Sequence, residues 1–347
     1  HVPFVALPGD AVPDAELAEA STIASGAYAE ATRYVRFGGA TNLQNLLLFL
    51  VDTVLFEGFG FDAPLEIAEH GVWRAPDTLE ADRPVVAVLF YRAHLVAGNT
   101  QFVTDLCDAI EKGGGQAVAV WAYSVRGEAA QPALDLIKSH NPDVLVTSVL
   151  ATGGTTAGAG VVTDGDDEAW DAAALASLGV PVLQTPTSTH SSLDWQASDN
   201  GLGPYEATAG IAGPELDGRV IVPTYAFNEV VDDGDELGVE VRALRAVPDR
   251  VARVAGIALR YARMRRTPRA ERRVAIVLAA YPTKRSRLGN AVGLDTPASA
   301  LRLLDALTAA GYRVDNAPSA ADDLMARLAD GMTYDAERVT EAERAVA

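Results

Sequence analysis

The 347-residue sequence predicts an α/β protein with doubly wound parallel sheets in at least two units and an N-terminal helical segment. Three observations carry that class. Residues 84–148 alternate strand and helix patterns in the order βαβαβ, which closes into a parallel sheet. The strands in that stretch are continuous apolar runs, as expected of strands buried on both faces. A second strand–loop–helix signature occupies residues 272–310. The topology is Rossmann-like.

Taken in order, residues 14–56 read as helical. An Ala-rich stretch at 15–36 ends at Gly38-Gly39, and the dense apolar stretch 42–56 reads as a buried helix. Residues 58–71 form a loop with aromatics. The buried strand 84–90 leads into a loop at 91–99 and a helix at 100–111, which Gly113-Gly114-Gly115 ends. Strand 116–121, helix 130–140 and strand 143–149 follow. A Gly-rich segment at 150–168 precedes a helix near 168–178, a strand at 180–184, a helical stretch around 203–212 and a strand at 220–222. Residues 225–231 and 238–242 flank an acidic tip, which suggests a hairpin. A basic amphipathic helix spans 247–266. In the last unit, 274–278 is an apolar strand run, Pro282 stops it, and Thr296-Pro297 starts a helix with a hydroxyl cap and proline at the first position. Leu301, Leu304 and Leu307 form its stripe, and Gly311 ends it. The domains expected are 1–80, a helical segment completing an N-terminal α/β domain; 81–246, the α/β domain carrying the site; 247–271, a connector helix; and 272–347, the truncated start of a second α/β domain.

Composition narrows the class. At 49% hydrophobic and 22% charged residues the chain can bury a large core. A net charge of −19 opposes nucleic acid or an anionic membrane as partner. With one cysteine, Cys107, no disulfide and no cysteine-based metal site forms within the chain. No apolar run reaches the roughly 18 residues of a membrane span. The Gly-rich loop at 153–160 is not a P-loop: Val161 and Val162 stand where Lys and Ser/Thr belong. ATP is therefore not expected on this chain. The acidic runs 164–168 and 232–236 fail the Ca²⁺-loop pattern, with Leu175 and Ala243 at the closing Glu position.

Five side chains stand out, each with a plainer alternative. Arg92 and His94 follow the 84–90 strand, at the end where open α/β sheets bind ligands. Arg92 offers a fork for a carboxylate. His94 can ligate a metal or accept a proton near neutral pH, or be satisfied in the core. Glu215 lies in the turn Pro214-Glu215-Leu216-Asp217-Gly218-Arg219. It is a candidate base, or Glu215 or Asp217 simply pairs with Arg219. Trp195 can stack on a ring or fill a core. Arg287, beside Lys284 and Arg285, is a cation for carboxylates or phosphates, or a solvated loop residue. His190 reads as a solvated loop residue; His70 and His140 read as structural.

Four blocks occur in a fixed order: Phe90-Tyr91-Arg92-Ala93-His94 with Gly98-Asn99-Thr100; Trp195-Gln196-Ala197-Ser198-Asp199 with Gly201-Leu202; Pro214 to Arg219; and Tyr281-Pro282 with the run from Arg287 to Ser299, RLGNAVGLDTPAS. Together they resemble the CobN/magnesium-chelatase H family, and the GNAVGLDTPAS form is more similar to the cobalt branch, the cobaltochelatase large subunits. Family chains are several times longer, so the sequence reads as a fragment.

The resemblance implies ATP-dependent insertion of cobalt(II) into hydrogenobyrinic acid a,c-diamide, a step of aerobic cobalamin biosynthesis, in the cytoplasm. ATP and Mg(II) would be used by partner subunits, one an AAA+ ATPase and one a second accessory subunit. The fragment alone would be inactive. Within the family the alternative is a magnesium-chelatase H-like protein inserting Mg(II) into protoporphyrin IX; outside it, a non-catalytic two-lobed module for a small ligand. For a chelatase, His94 and Glu215 would be the catalytic residues and transient metal ligands. Arg92 and Arg287 would meet substrate carboxylates, and Trp195 would stack on the macrocycle.

Overall fold

The structure is a computed structural model describing residues 3–8, 14–125, 130–150, 173–234, 238–279 and 287–330. The chain divides into two compact units, residues 1–263 and 264–347. In the first, helices α1 (Ala15–Ala20), α2 (Ser25–Phe37) and α3 (Ala40–Leu55) precede the sheet. The sheet contains β1 (His70–Arg74), β2 (Val85–Tyr91), β3 (Gln116–Ala122), β4 (Val144–Thr147), β5 (Val182–Gln184) and β6 (Val220–Ile221), in the order β1-β3-β2-β4-β5-β6. From β3 to β6 all neighbours are parallel; β1 closes the far edge antiparallel to β3. A separate antiparallel pair, β7 (Ala226–Asp232) and β8 (Val241–Ala246), forms the expected hairpin.

The continuous apolar runs explain why the sheet is covered on both sides. In β2, Val86, Val88 and Phe90 enter one core, while Val85, Ala87 and Leu89 enter the other. Successive strand residues point to opposite faces, so an unbroken apolar run needs two covers. After β2 come the short helix α4 (Arg92–Val96) and α5 (Gln101–Lys112); α6 (Gln131–Ser139) joins β3 to β4. Short helices α7 (Ala173–Ala176), α8 (Ser192–Ala197), α9 (Pro204–Ala207) and α10 (Gly213–Leu216) flank β5 and lead to β6, and α11 (Pro248–Arg266) follows the hairpin. The first core is closed by α5, through Phe102, Val103, Leu106 and Ile110, and by α11, through Val254, Ala258, Leu259 and Ala262. The second is closed by α6 through Ala133, Leu134 and Ile137. Each fully buried Leu, Ile or Phe contributes about 1.5–3 kcal/mol. The Gly113-Gly114-Gly115 turn also serves packing: a Cβ on Gly115 would lie 2.5 Å from Leu259.

Several local expectations change. The stretch 15–36 is two helices, because Ser21 and Thr22 turn their hydroxyls to the backbone N–H groups of Ala6 and Phe4. α3 is buried on one face only, through Asn42, Asn45, Leu46 and Phe49, while Leu43, Leu47 and Leu55 are exposed. The 58–71 loop runs into β1, which no apolar run announces. The loop after β2 contains α4. α11, expected as a connector, is also a core-forming cover.

In the second unit, α12 (Thr296–Ala309) and α13 (Ala321–Asp330) are the regular elements among the described residues. Asp295, not Thr296, caps α12, its carboxylate accepting from Ala298 N. The apolar run 274–278, expected as a buried strand, pairs with no described residue, and Val277 is 89% exposed. A strand buried on both faces needs strands beside it, and the described residues of this unit contain none.

Candidate functional site

Strand order locates the site. β2 lies between β3 and β4, so the chain leaves β2 toward one side and later returns to the other. The carboxyl ends of β2 and β4 therefore border the switch-point crevice. α4, with Arg92 and His94, leaves the first; Ser148, Val149 and Leu150 leave the second. The Gly-rich segment that follows, 151–172, lies outside the described residues.

A buried guanidinium ties this edge to the Pro214–Arg219 turn. Arg219 Nη1 donates to Val149 O and to Gln184 Oε1, both at 2.6 Å. Its Nη2 donates to Leu150 O at 3.0 Å and to Asp217 Oδ2 at 2.7 Å. The side chains of Arg219 and Asp217 are 1% and 0% exposed. Leu150 N–H in turn donates to the Tyr91 hydroxyl at 3.1 Å, at the end of β2. The turn is closed by its own backbone: Arg219 N donates to Pro214 O at 3.1 Å, and Gly218 N to Glu215 O at 2.9 Å. Gly218 makes this possible with φ +75°, a left-handed conformation open to glycine. Of the two acids expected to hold Arg219, Asp217 does so, and the Glu215 residue is exposed.

His94 is half-buried on α4, with its ring edge-on to Phe102 at 5.0 Å. Burial lowers its pKa below the ordinary 6.5, which keeps the imidazole neutral. Neither ring nitrogen bonds to a described residue, and in the neutral ring the unprotonated nitrogen can take a proton or a metal. Arg92 is largely committed to the main chain: Nε donates to Ala68 O, and Nη2 to Ile67 O and Phe37 O. It pins the segment before β1, and Nη1 is the nitrogen left to meet a carboxylate.

Beyond β5 the chain forms a second feature. The indole of Trp195 is tilted against Phe227 at 5.5 Å and covered by the Arg250 guanidinium at 4.1 Å. Trp195 lines a cleft of about 500 Å³ with His190, Asp194, Asn200, Leu202 and Pro204. Behind it Glu206, 6% exposed, accepts from Thr189 N and Oγ1 and from Gly203 N. Burial pushes this carboxyl up, but those bonds and nearby His190 outweigh it and hold Glu206 below the ordinary carboxylate range. His190, read from sequence as a solvated loop residue, is exposed and also lines this cleft.

The structure thus ties the Pro214–Arg219 turn, through the Arg219 guanidinium, to the main chain that leaves β4, and sets Trp195 in a cleft that follows β5. Arg287 is exposed in the second unit; Lys284 and Arg285 fall outside the described residues. Among the described residues no three His, Cys, Asp or Glu side chains gather as a metal-holding set. No described helix is long and apolar enough to cross a membrane. Sequence reasoning does not single out Arg219 or Tyr91 as site residues. The available signal is an arginine just before an apolar strand with an acid two residues earlier.

Comparison with known proteins agrees with this architecture. The family model described as CobN/Magnesium Chelatase matches residues 32–347. The aerobic cobaltochelatase subunit CobN of Pseudomonas aeruginosa is 32% identical over 97% of this chain and 27% of its own length. The magnesium-chelatase H subunit of Rhodobacter capsulatus is 26% identical over 83% of this chain and 26% of its own. Among solved structures, the catalytic subunit of cobaltochelatase from Mycobacterium tuberculosis superposes with a TM-score of 0.74 at 42% identity, over 91% of this chain and 26% of that one. The chain thus spans about a quarter of the length of these relatives. It belongs to the CobN/magnesium chelatase family.

Proposed function

We propose that the full-length protein is the tetrapyrrole-binding subunit of an ATP-dependent cobaltochelatase, inserting Co(II) into hydrogenobyrinic acid a,c-diamide. The observation that supports this reading is that a half-buried His94 follows the carboxyl end of β2, while Arg219 ties the turn of an exposed Glu215 to the main chain that leaves β4. Insertion into a corrin requires its one inner ring N–H proton to leave while the metal sheds water. Glu215 accepts the ring proton, and His94, held neutral by burial, holds the incoming metal in transit. Trp195 stacks on the macrocycle, with its far face fixed by Arg250. Arg92 Nη1 meets a peripheral carboxylate, and Arg287, in the second unit, is a further cation for carboxylates. ATP and Mg(II) are used by an AAA+ partner and a second accessory subunit, in keeping with Val161 and Val162 where a P-loop needs Lys and Ser/Thr. The setting is cytoplasmic.

Cobalt is favoured over magnesium by 32% identity to a CobN subunit, against 26% to a magnesium-chelatase H subunit. The test is titration of the full-length protein with hydrogenobyrinic acid a,c-diamide and, separately, protoporphyrin IX, followed by absorbance. Tighter binding of the first supports the reading. Preference for protoporphyrin IX would move the protein to the magnesium branch, and binding of neither would remove the chelatase role.

A further inference from the structure

Glu215 is an exposed side chain on a turn whose base is buried. The carboxylate itself is not held; the main chain beneath it is. Gly218 N returns to Glu215 O and Arg219 N to Pro214 O, so the backbone is fixed on both sides of the Glu215 Cα. That closed turn is joined to the sheet by the Arg219 guanidinium, which reaches Val149 O, Leu150 O, Gln184 and Asp217 at once. Tyr91 takes the other polar side of Leu150 at the end of β2, one residue before α4 begins. One planar cation therefore links the ends of β4 and β5 to the Glu215 turn, and Leu150 carries the connection to the strand that leads into His94.

We infer that Arg219 is a positioning residue for metal insertion: it fixes the main chain of the Glu215 turn against the chain that leaves β4, and so sets the point from which the Glu215 carboxylate reaches. This rests on the reading of Glu215 as the base. Arginine suits the task because its rigid fork spreads donors in a plane. Lysine brings the same charge as a point and cannot reach four acceptors together. A carboxylate displaced by about 1 Å loses on the order of 10²-fold in rate, while the surfaces that bind the macrocycle stay in place.

The experiment is a double-mutant cycle in the full-length subunit assembled with its partner subunits, reading kcat, KM for the tetrapyrrole and the pH–rate profile. Arg219→Lys is expected to lower kcat by 10- to 100-fold with KM within 3-fold, and to weaken the limb of the pH profile that reports the base. Placed on Glu215→Gln, it is expected to lower kcat no further. Tyr91→Phe, which buries no charge, serves if Arg219→Lys does not fold, with a loss of about 3-fold in kcat that again vanishes on Glu215→Gln. Equal losses in both backgrounds would overturn the positioning role while leaving Glu215 as base. Full kcat in a folded Arg219→Lys protein would overturn it as well. No effect of Glu215→Gln alone would instead remove the base reading, and the positioning role with it.

Discussion

Tyr91 and Arg219 hold Leu150 from its two polar sides. The Tyr91 hydroxyl accepts from Leu150 N at 3.1 Å, and Arg219 Nη2 donates to Leu150 O at 3.0 Å. Tyr91 ends β2 and Arg219 precedes β6, strands that are not neighbours in the sheet. Their shared grip links the Pro214–Arg219 turn, through Leu150, to the end of β2.

Asp217 is the counter-charge of that grip, and both partners are buried. Removing one leaves an uncompensated buried charge, which costs about 3–5 kcal/mol. Asp217→Leu is therefore expected to shift the urea midpoint of the chain sharply downward. Asp217→Leu combined with Arg219→Met should recover much of the loss, since replacing both charges by apolar groups is often near neutral. A double variant no more stable than the single one would show that the bonds to Val149, Leu150 and Gln184 dominate instead.

His94 gives the fold a pH dependence of defined sign. Its folded pKa lies below 6.5 because burial disfavours the imidazolium. Above pH 6.5 both folded and unfolded states carry it neutral. As pH falls below 6.5 the unfolded chain takes up the proton first, so stability drops until the folded pKa is passed. The melting temperature of the wild-type chain should fall more between pH 7 and pH 5 than that of His94→Gln. Parallel curves would mean that the ring is already solvated in the folded state.

Cys107 reports on the main core. It lies on α5 at 0% exposure, and burial pushes its thiol pKa up to about 12. Reaction with a maleimide at pH 7.5 is expected to be negligible in buffer and complete in 6 M guanidinium. Rapid labelling in buffer would mean that α5 opens from the sheet without global unfolding.

The sheet was legible because its signal is local. The runs at 84–90, 116–121 and 143–149 name their own secondary structure, and unbroken hydrophobicity states that both faces are covered. β1 was not legible, since His70-Gly71-Val72-Trp73-Arg74 has neither an apolar run nor an alternation. The half-exposure of α3 and the run 274–278, which pairs with no described residue, also escaped, because composition shows that a segment seeks cover and not which residues supply it. Motif order brought His94, Glu215 and Trp195 forward. It missed Arg219, whose role depends on Leu150 and Gln184, 69 and 35 residues away along the chain. It missed His190 for the same reason: a histidine in a Ser/Thr-rich loop has no local mark of the cleft it lines.

The most direct test is the Glu215→Gln variant of the full-length subunit in the assembled chelatase, with Co(II) insertion rate and tetrapyrrole affinity measured on the same preparation. The expected result is a rate at least 10-fold lower, in the range of a lost general base, with the Kd for hydrogenobyrinic acid a,c-diamide within 3-fold of wild type. An unchanged insertion rate would contradict the assignment of proton removal to Glu215.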